Sequence, residues 1–258
     1  MWEAFQYGIF VVIDWFYGFA KDWGLAIILI TLLFRILIFP ISQKQFKSTH
    51  MMQKLQPKIE EAKIRCGDDK QRLNEETMKI YQEAKFNPLS GCLPMLLQMP
   101  IFIALYWVLR DLSRYITESG ATRSLPATFY NIIPDLSLSP SSAFSEGGIG
   151  FALVYMLLVV LFAGSMLVPL LINKNTQRQQ LIMTAVMSVF MLWIGWSAPA
   201  GVLLYWDTSS IIQVGQQLIY KKVMEKKDAR EEEEAVTITP VKVEVVRKPK
   251  KARPKKSK

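Results

Sequence analysis

Residues 24–40 read GLAIILITLLFRILIFP, an apolar run with a single charge, Arg35. A helix rises 1.5 Å per residue and needs about 20 residues to cross the hydrocarbon of a bilayer. The run is close to that length. A charge at such depth costs on the order of 3 kcal/mol or more unless it meets water or a partner. The fold therefore follows from where other apolar runs lie, and the function from what Arg35 meets.

The chain has 258 residues, 51% of them hydrophobic, and a mean hydropathy of +0.19. Its apolar residues are not scattered as in a soluble core but gathered into five blocks: 24–41, 89–109, 149–172, 181–196 and 199–220. Most match the length of a membrane-crossing helix, and none alternates with period two as a barrel strand would. The sequence predicts an all-α polytopic membrane protein with five transmembrane helices. The block at 181–196 is the shortest, suited to little tilt or a thinned bilayer.

Charge orients these spans. Residues 42–88 carry ten Lys or Arg, the link 173–180 carries Lys174 and Arg178, and the stretch after Tyr220 carries fourteen. Residues 1–23 have only Lys21, and 110–148 has three basic residues against four acids. With five spans, all the basic segments fall on one side, which the positive-inside rule makes the cytoplasm. The N-terminus is then outside and the C-terminus inside.

The soluble segments have distinct characters. In MWEAFQYGIFVVIDWFYGFA, residues 1–20, the residues Trp2, Phe5, Ile9, Val12, Phe16 and Phe19 recur at three and four. That spacing predicts an amphipathic interfacial helix over 1–23 on the outer face, with a sixth span as the competing reading. Residues 42–88 read as a cytoplasmic helical hairpin with its turn at 66–69, built as a docking element. Residues 110–148, rich in Ser, Pro and Gly from 113 on, read as an external loop with a short helix near Phe129. Residues 221–258 form a basic cytoplasmic tail of net charge +7 that does not fold alone. Such a tail attracts ribosomal RNA or anionic headgroups.

Enzyme signals are thin. His50 is the one histidine and sits in a polar segment. Cys66 and Cys92 both fall on the cytoplasmic side, where disulfides are rare. There is no metal-ligand cluster, no GxxxxGKT and no GxSxG. The sequence predicts no enzyme, no cofactor and no metal.

What remains is the set of polar groups inside the spans. Arg35 lies about 16 Å down the first span at 1.5 Å per residue. Thr31 is one turn above it on the same face. Gln98 lies between Pro94 and Pro100 in the second span. Asp207 lies about 12 Å into the last span, beside Tyr205 and Trp206 and before Thr208, Ser209, Ser210 and Gln213. Groups of this kind face protein or water and mark a path. The physical solution is a wet cavity that opens toward the cytoplasm and is closed and dry outside. Arg35 lines it, either as a binding surface for a passing polar segment, as an ion pair with Asp207, or as both in turn.

These residues also carry a resemblance. TLLFRILIFPIS (31–42), LQPKI (55–59), NPLSGCLPMLLQMPIFIALYWVL (87–109) and PAGVLLYWDTSS (199–210) resemble, in this order, the YidC family of membrane protein insertases. The likeness runs from about Trp23 to about Tyr220, to a short form without the large extracytoplasmic domain or lipoprotein signal of many members. It implies a five-helix core with a cytoplasmic hairpin and a substrate groove open to cytoplasm and lipid. It matches Arg35, Thr31, Tyr205 and Trp206 to the family's groove; Gln98 and Asp207, read above as polar groups within the spans, complete the predicted substrate groove. It implies insertion and folding of nascent membrane proteins without nucleotide hydrolysis, in the bacterial plasma (inner) membrane. The partners implied are those nascent chains, the lipid bilayer, the ribosome through the tail and cytoplasmic loops, and a secretion channel for long flanks; a monomer suffices. Asp207 departs from the family pattern, in which apolar or small residues follow the aromatic pair. A non-inserting assembly scaffold and a small-solute transporter are the rival classes.

Overall fold

A computed structural model describes residues 1–87, 93–120, 123, 125–168, 170 and 178–238. Among the described residues the chain forms eight helices: α1 (Trp2–Ala20), α2 (Trp23–Cys66), α3 (Lys70–Glu83), α4 (Leu93–Arg110), α5 (Leu112–Glu118), α6 (Pro140–Ser165), α7 (Arg178–Ser197) and α8 (Ala200–Ile238). Cys92, Lys174, the first residues of the 89–109 run and the basic stretch 239–258 lie outside the described residues. The chain divides into two units, Met1–Tyr220 and Lys221–Lys258. In the second, the pairs Lys221–Glu225 and Lys227–Glu231 line exposed helix at spacing i,i+4, each worth a few tenths of a kcal/mol.

The first unit is a helical bundle with two unlike ends. At one, the loop end, the connection from α5 to α6 folds over the helices. At the other, the hairpin end, α3 packs back along the second half of α2. There Arg65 meets Glu76 at 3.6 Å and the Tyr81 hydroxyl reaches Met52 Sδ at 3.6 Å. The turn falls at 67–69, where Gly67 takes φ 56 and Asp69 caps α3 by accepting from the Arg72 amide at 3.0 Å.

Asp22 starts α2. One carboxylate oxygen accepts from the Leu25 amide at 2.9 Å, an N-cap. The other accepts from the Tyr130 amide at 2.7 Å and so ties the loop to the same helix end. From there α2 continues for 44 residues through Pro40 and Pro57. The expected hairpin over 42–88 thus has no separate first arm: it is the same helix as the first span. Proline's fixed φ is compatible with a helix, and the polar run after Pro40 is made largely of helix formers.

The stripe buried in α1 is Gln6, Ile9, Phe10, Ile13 and Tyr17. Trp2, Phe5 and Phe19 face outward, while Val12 and Phe16 pack at the margin. Two apolar stripes compete on this helix, and the one carrying Phe10 stacks on Tyr115 of α5 at 5.5 Å while Tyr17 stacks on Trp23 at 4.2 Å. The loop expected at 110–148 is shorter, because α5 and the start of α6 are helical. Ser139 Oγ accepts from the Ser142 amide at 3.2 Å and Pro140 fills the first turn, where its missing N–H leaves no gap. Gly148, at φ 68, breaks that helix and a second run follows. Near Phe129 there is a tight turn closed by a Phe129–Ile133 bridge rather than a helix.

This loop seals its end of the bundle. The Leu136 and Leu138 carbonyls accept from the Gly201 and Ala200 amides, both at 2.8 Å, which satisfies the start of α8. The Tyr155 hydroxyl donates to the Asp135 carbonyl at 3.0 Å. Arg123 grips Asp14 of α1 through two bonds of 2.8 and 2.9 Å and lies over the Tyr17 ring. The Asp14 hydrogen bond holds the Arg123 guanidinium above its ordinary range.

Burial follows the same polarity. In the span part of α2 the buried residues are Trp23, Gly24, Ala26, Ile27, Ile30 and Thr31, all toward the loop end. From Leu32 to Ile41 none is buried. Large apolar side chains face outward elsewhere, as Ile36 (69% exposed), Val160 (60%) and Trp193 (72%) do. Water does not tolerate so much apolar surface, whereas lipid solvates it. Among the described residues, α2 and α6 are long and apolar enough to cross a membrane, and Leu181–Ser197 is a shorter apolar stretch.

Gly24 reports on the seal. A Cβ there would lie 2.3 Å from the Phe129 ring, whereas one at Gly8 would meet nothing within 4 Å. Gly24→Ala is expected to cost about 1–3 kcal/mol through overpacking, and Gly8→Ala to add about 0.5–1 kcal/mol. Thermal melts in detergent followed by tryptophan fluorescence give the two shifts in opposite directions.

Candidate functional site

The unpacked half of α2 carries Arg35, and α8 supplies what it binds. Tyr205, Ser209 and Gln213 are spaced by four and so share one face of α8. Arg35 Nε donates to Ser209 Oγ at 2.9 Å, and one terminal nitrogen donates to Ser209 Oγ and to Gln213 Oε1, the latter at 3.1 Å. Gln98 of α4 donates to the Tyr205 hydroxyl, which lies beside Arg35 and Ser209. Three helices thus meet in one polar line, Gln98–Tyr205–Ser209–Arg35–Gln213. Tyr205 and Ser209 are buried, while Arg35 and Gln213 are half-buried toward the unpacked side.

Neutral oxygens hold the guanidinium without cancelling its charge. Ser209 and Gln213 satisfy donors that would otherwise be orphaned, and none of these partners carries a negative charge. A guanidinium has five N–H donors, and these contacts use two of its nitrogens. The site presents a localised positive potential with donor capacity to spare, suited to an acidic or carbonyl-rich group. It contains no nucleophile with an adjacent base, and among the described residues no cluster of His, Cys, Asp or Glu could hold a metal.

The remaining predicted residues lie elsewhere. Thr31 is fully buried and spends its hydroxyl on the Ile27 carbonyl at 2.6 Å, inside its own helix. Trp206 stacks between Phe102 of α4 and Phe162 of α6, with centroids at 5.0 and 4.3 Å, an apolar clamp behind the polar line. Asp207 is 6% exposed, and neither carboxylate oxygen has a hydrogen-bond partner among the described residues. It does not pair with Arg35: Ser209, two residues on, takes that place, and two residues turn the helix by about 200°. Ser209 and Gln213, which hold Arg35, were legible only as polar residues following Asp207; their i,i+4 spacing from Tyr205 was the signal.

Known proteins resemble this chain over most of its length. The family described as 60Kd inner membrane protein matches residues 15–228. The chain belongs to the YidC family. The membrane protein insertase YidC of Haemophilus influenzae (strain PittEE) is 36% identical over 220 residues, covering 85% of this chain and 37% of the relative. That of Cellvibrio japonicus (strain Ueda107) is 36% identical over 225 residues, covering 86% and 36%. A solved active YidC insertase with its first transmembrane domain resolved superposes with a TM-score of 0.60 at 29% identity, over 83% of this chain and 46% of that one. The chain spans little more than a third of the length of the curated relatives it matches. Family membership makes it a multi-pass inner-membrane protein with an all-α, YidC-like core.

A double-mutant cycle separates the two polar residues of α8. Arg35→Ala combined with Ser209→Ala is expected to show a coupling of about 1–3 kcal/mol, as for a charge-assisted hydrogen bond. Arg35→Ala combined with Asp207→Asn is expected to be additive within about 0.5 kcal/mol. Unfolding by SDS in mixed micelles measures both.

Proposed function

We propose that the chain is a membrane protein insertase, which helps nascent membrane proteins enter and fold in the bilayer without nucleotide hydrolysis. The observation that carries this reading is Arg35 held by uncharged partners in the unpacked half of a bundle whose other end is sealed.

In this reading α2 as far as Ile41, α4, the second run of α6, α7 and α8 as far as Tyr220 are five spans. The loop end faces outward, and the hairpin end and the C-terminus face the cytoplasm, as the basic segments require. The first helix lies along the outer surface, supported by contacts to Tyr115, Trp23 and Arg123 at the loop end. The hairpin end and the tail meet the ribosome or anionic lipid, and a secretion channel handles flanks too long for this route.

A nascent chain arrives with an apolar segment and a short polar flank. The flank enters beside Arg35, where water and the guanidinium replace part of the hydration it gives up. Only the sealed half remains to be crossed dry, which lowers the barrier to moving polar groups. The apolar segment passes into lipid along the outward-facing surfaces, and its burial at about 25 cal/mol per Å² drives the process. Arg35, Gln98 and Tyr205 with Ser209 and Gln213 form the polar wall of the groove, with Trp206 and Thr31 fixing the helices behind it. No bond is made or broken.

Insertion into liposomes of a single-span substrate with a short acidic N-terminal flank, read by protection of the flank from external protease, tests this. Arg35→Ala is expected to slow insertion about tenfold, the worth of one charge-assisted contact, and Arg35→Lys to keep most of it. Equal insertion by all three proteins removes Arg35 from the mechanism, and no insertion by the wild type removes the insertase reading in favour of an assembly scaffold.

A further inference from the structure

Burial on α2 stops at Thr31 and returns below Arg35. No side chain from Leu32 to Ile41 is buried, yet Ser42 is 4% exposed and Phe46 7%. The facing helix at this level is α8. Arg35 bonds Ser209 at the upper level, and lower down the Phe46 ring meets the Tyr220 ring at 5.7 Å, tilted by 40°. The two pairs are equally spaced on both helices, 35 to 46 and 209 to 220, so α2 and α8 run parallel and in register over about 16.5 Å. Ser42 and Gln216 lie seven residues beyond Arg35 and Ser209, about 10.5 Å down and within about 20° of the same azimuth. They therefore share one level of the seam, between the Arg35 bonds and the aromatic pair. Gln216 is half-buried, but its Oε1 is sealed from solvent and has no hydrogen-bond partner among the described residues. Directly after Tyr220, α8 turns basic with Lys221 and Lys222.

This closed level is poorly accounted for by stability. An acceptor buried without a partner destabilises by more than a formed hydrogen bond stabilises, and native structures keep few of them. The apolar ring contact beneath it holds water out at rest. Its chemistry complements that of Arg35. A guanidinium only donates, whereas Gln216 Oε1 only accepts. An extended polypeptide offers both carbonyls and N–H groups and advances about 3.3 Å per residue, so about three residues reach from one level to the other. Pro40 lies between the two levels and gives the Ile36 carbonyl no amide donor. The lower level can part there while the Arg35 bonds above it hold.

We propose that Phe46 and Tyr220 form an aromatic gate in the α2–α8 seam, and that Ser42 and Gln216 behind it form a second binding station, which takes backbone N–H groups of a polypeptide flank on its way to Arg35. The gate keeps the station dry when no chain is present. A flank entering from the hairpin end displaces the ring contact, pairs the orphaned acceptor and presents its carbonyls or carboxylates to the guanidinium. The flank as occupant rests on the insertase reading.

The test uses the full chain carrying Cys66→Ser and Cys92→Ser, in lipid nanodiscs for labelling and in liposomes for insertion. Ser42→Cys is expected to react slowly with a membrane-impermeant maleimide, and several-fold faster when combined with Tyr220→Ala. Phe46→Cys with Tyr220→Cys is joined by a short bis-maleimide, or treated with N-ethylmaleimide, which fills both positions without joining them. The joined protein is expected to lose most of its insertion of the acidic-flank substrate, and the unjoined one to keep it. Gln216→Leu removes the orphaned acceptor. It is expected to raise the SDS concentration needed for unfolding and yet to slow insertion about fivefold, the worth of one neutral hydrogen bond; a merely structural glutamine would shift both in the same sense. Equal labelling of Ser42→Cys with and without the Tyr220 ring, equal insertion by the joined and unjoined proteins, or unchanged insertion by Gln216→Leu overturns the proposal. A wild type that inserts nothing sinks the insertase reading and with it the flank as occupant, while the labelling still decides the gate.

Discussion

A guanidinium in an apolar helix has to be hydrogen-bonded or wet, and much of this structure is arranged around that requirement. Arg35 cannot be packed as Ile27 and Ile30 are. It needs oxygen acceptors within 3 Å or so, and α8 brings them at one helical spacing in Ser209 and Gln213. Since neither is an acid, the charge is positioned and left unneutralised. The bundle therefore cannot close over it, and the half of α2 beyond Thr31 buries none of its side chains up to Ile41.

The loop end is the counterpart of that openness. The starts of α2 and α8 would each leave amide donors bare. The connection between α5 and α6 satisfies them with the Thr128, Leu136 and Leu138 carbonyls, and Asp22 adds a cap that also holds Tyr130. Around these bonds lie Ile27, Leu105, Leu109, Leu136 and Val202, all fully buried. Backbone pairing and dry packing thus coincide at one end while water-seeking groups gather at the other. In the insertase reading proposed above, a polar segment admitted on the wet side would meet a wall of paired backbone rather than a channel, so short polar flanks would suit this architecture better than long ones.

Much of this was legible in the sequence, for reasons that also explain what was not. Apolar blocks and helix length are one-dimensional properties, so the helical architecture and a turn, expected at 66–69 and found at 67–69, could be read directly. Arg35, Gln98 and Tyr205 announced themselves as polar groups in apolar runs, and the structure brings the three into one line. Pairing across helices is a matter of azimuth, which depth alone does not supply. That is why Asp207, at a plausible depth for Arg35, lies on a different face, and why Ser209 has its place. On α1, which of two overlapping apolar stripes packs on the bundle depends on what they stack on, Tyr115 and Trp23, and the spacing does not supply that. The start of α6 carried a legible signal, Ser139 followed by Pro140, but the Ser and Gly around it have the composition of a loop.

The unbroken course of α2 has a mechanical consequence. A helix of 44 residues is a rod of about 66 Å, with Arg35 at one point along it and the α3 turn at its far end. No loop intervenes between tip and guanidinium, so load applied at the tip is taken up within the helix itself, at its two prolines. Pro40 contributes no amide donor, so the Ile36 carbonyl one turn before it lacks its usual bond, as the Gln53 carbonyl does before Pro57, and the rod is compliant at these two points. The helix is a lever with its joint between charge and tip: bending at Pro40 would swing the tip while Arg35, on the Asp22 side of the joint, stays in place.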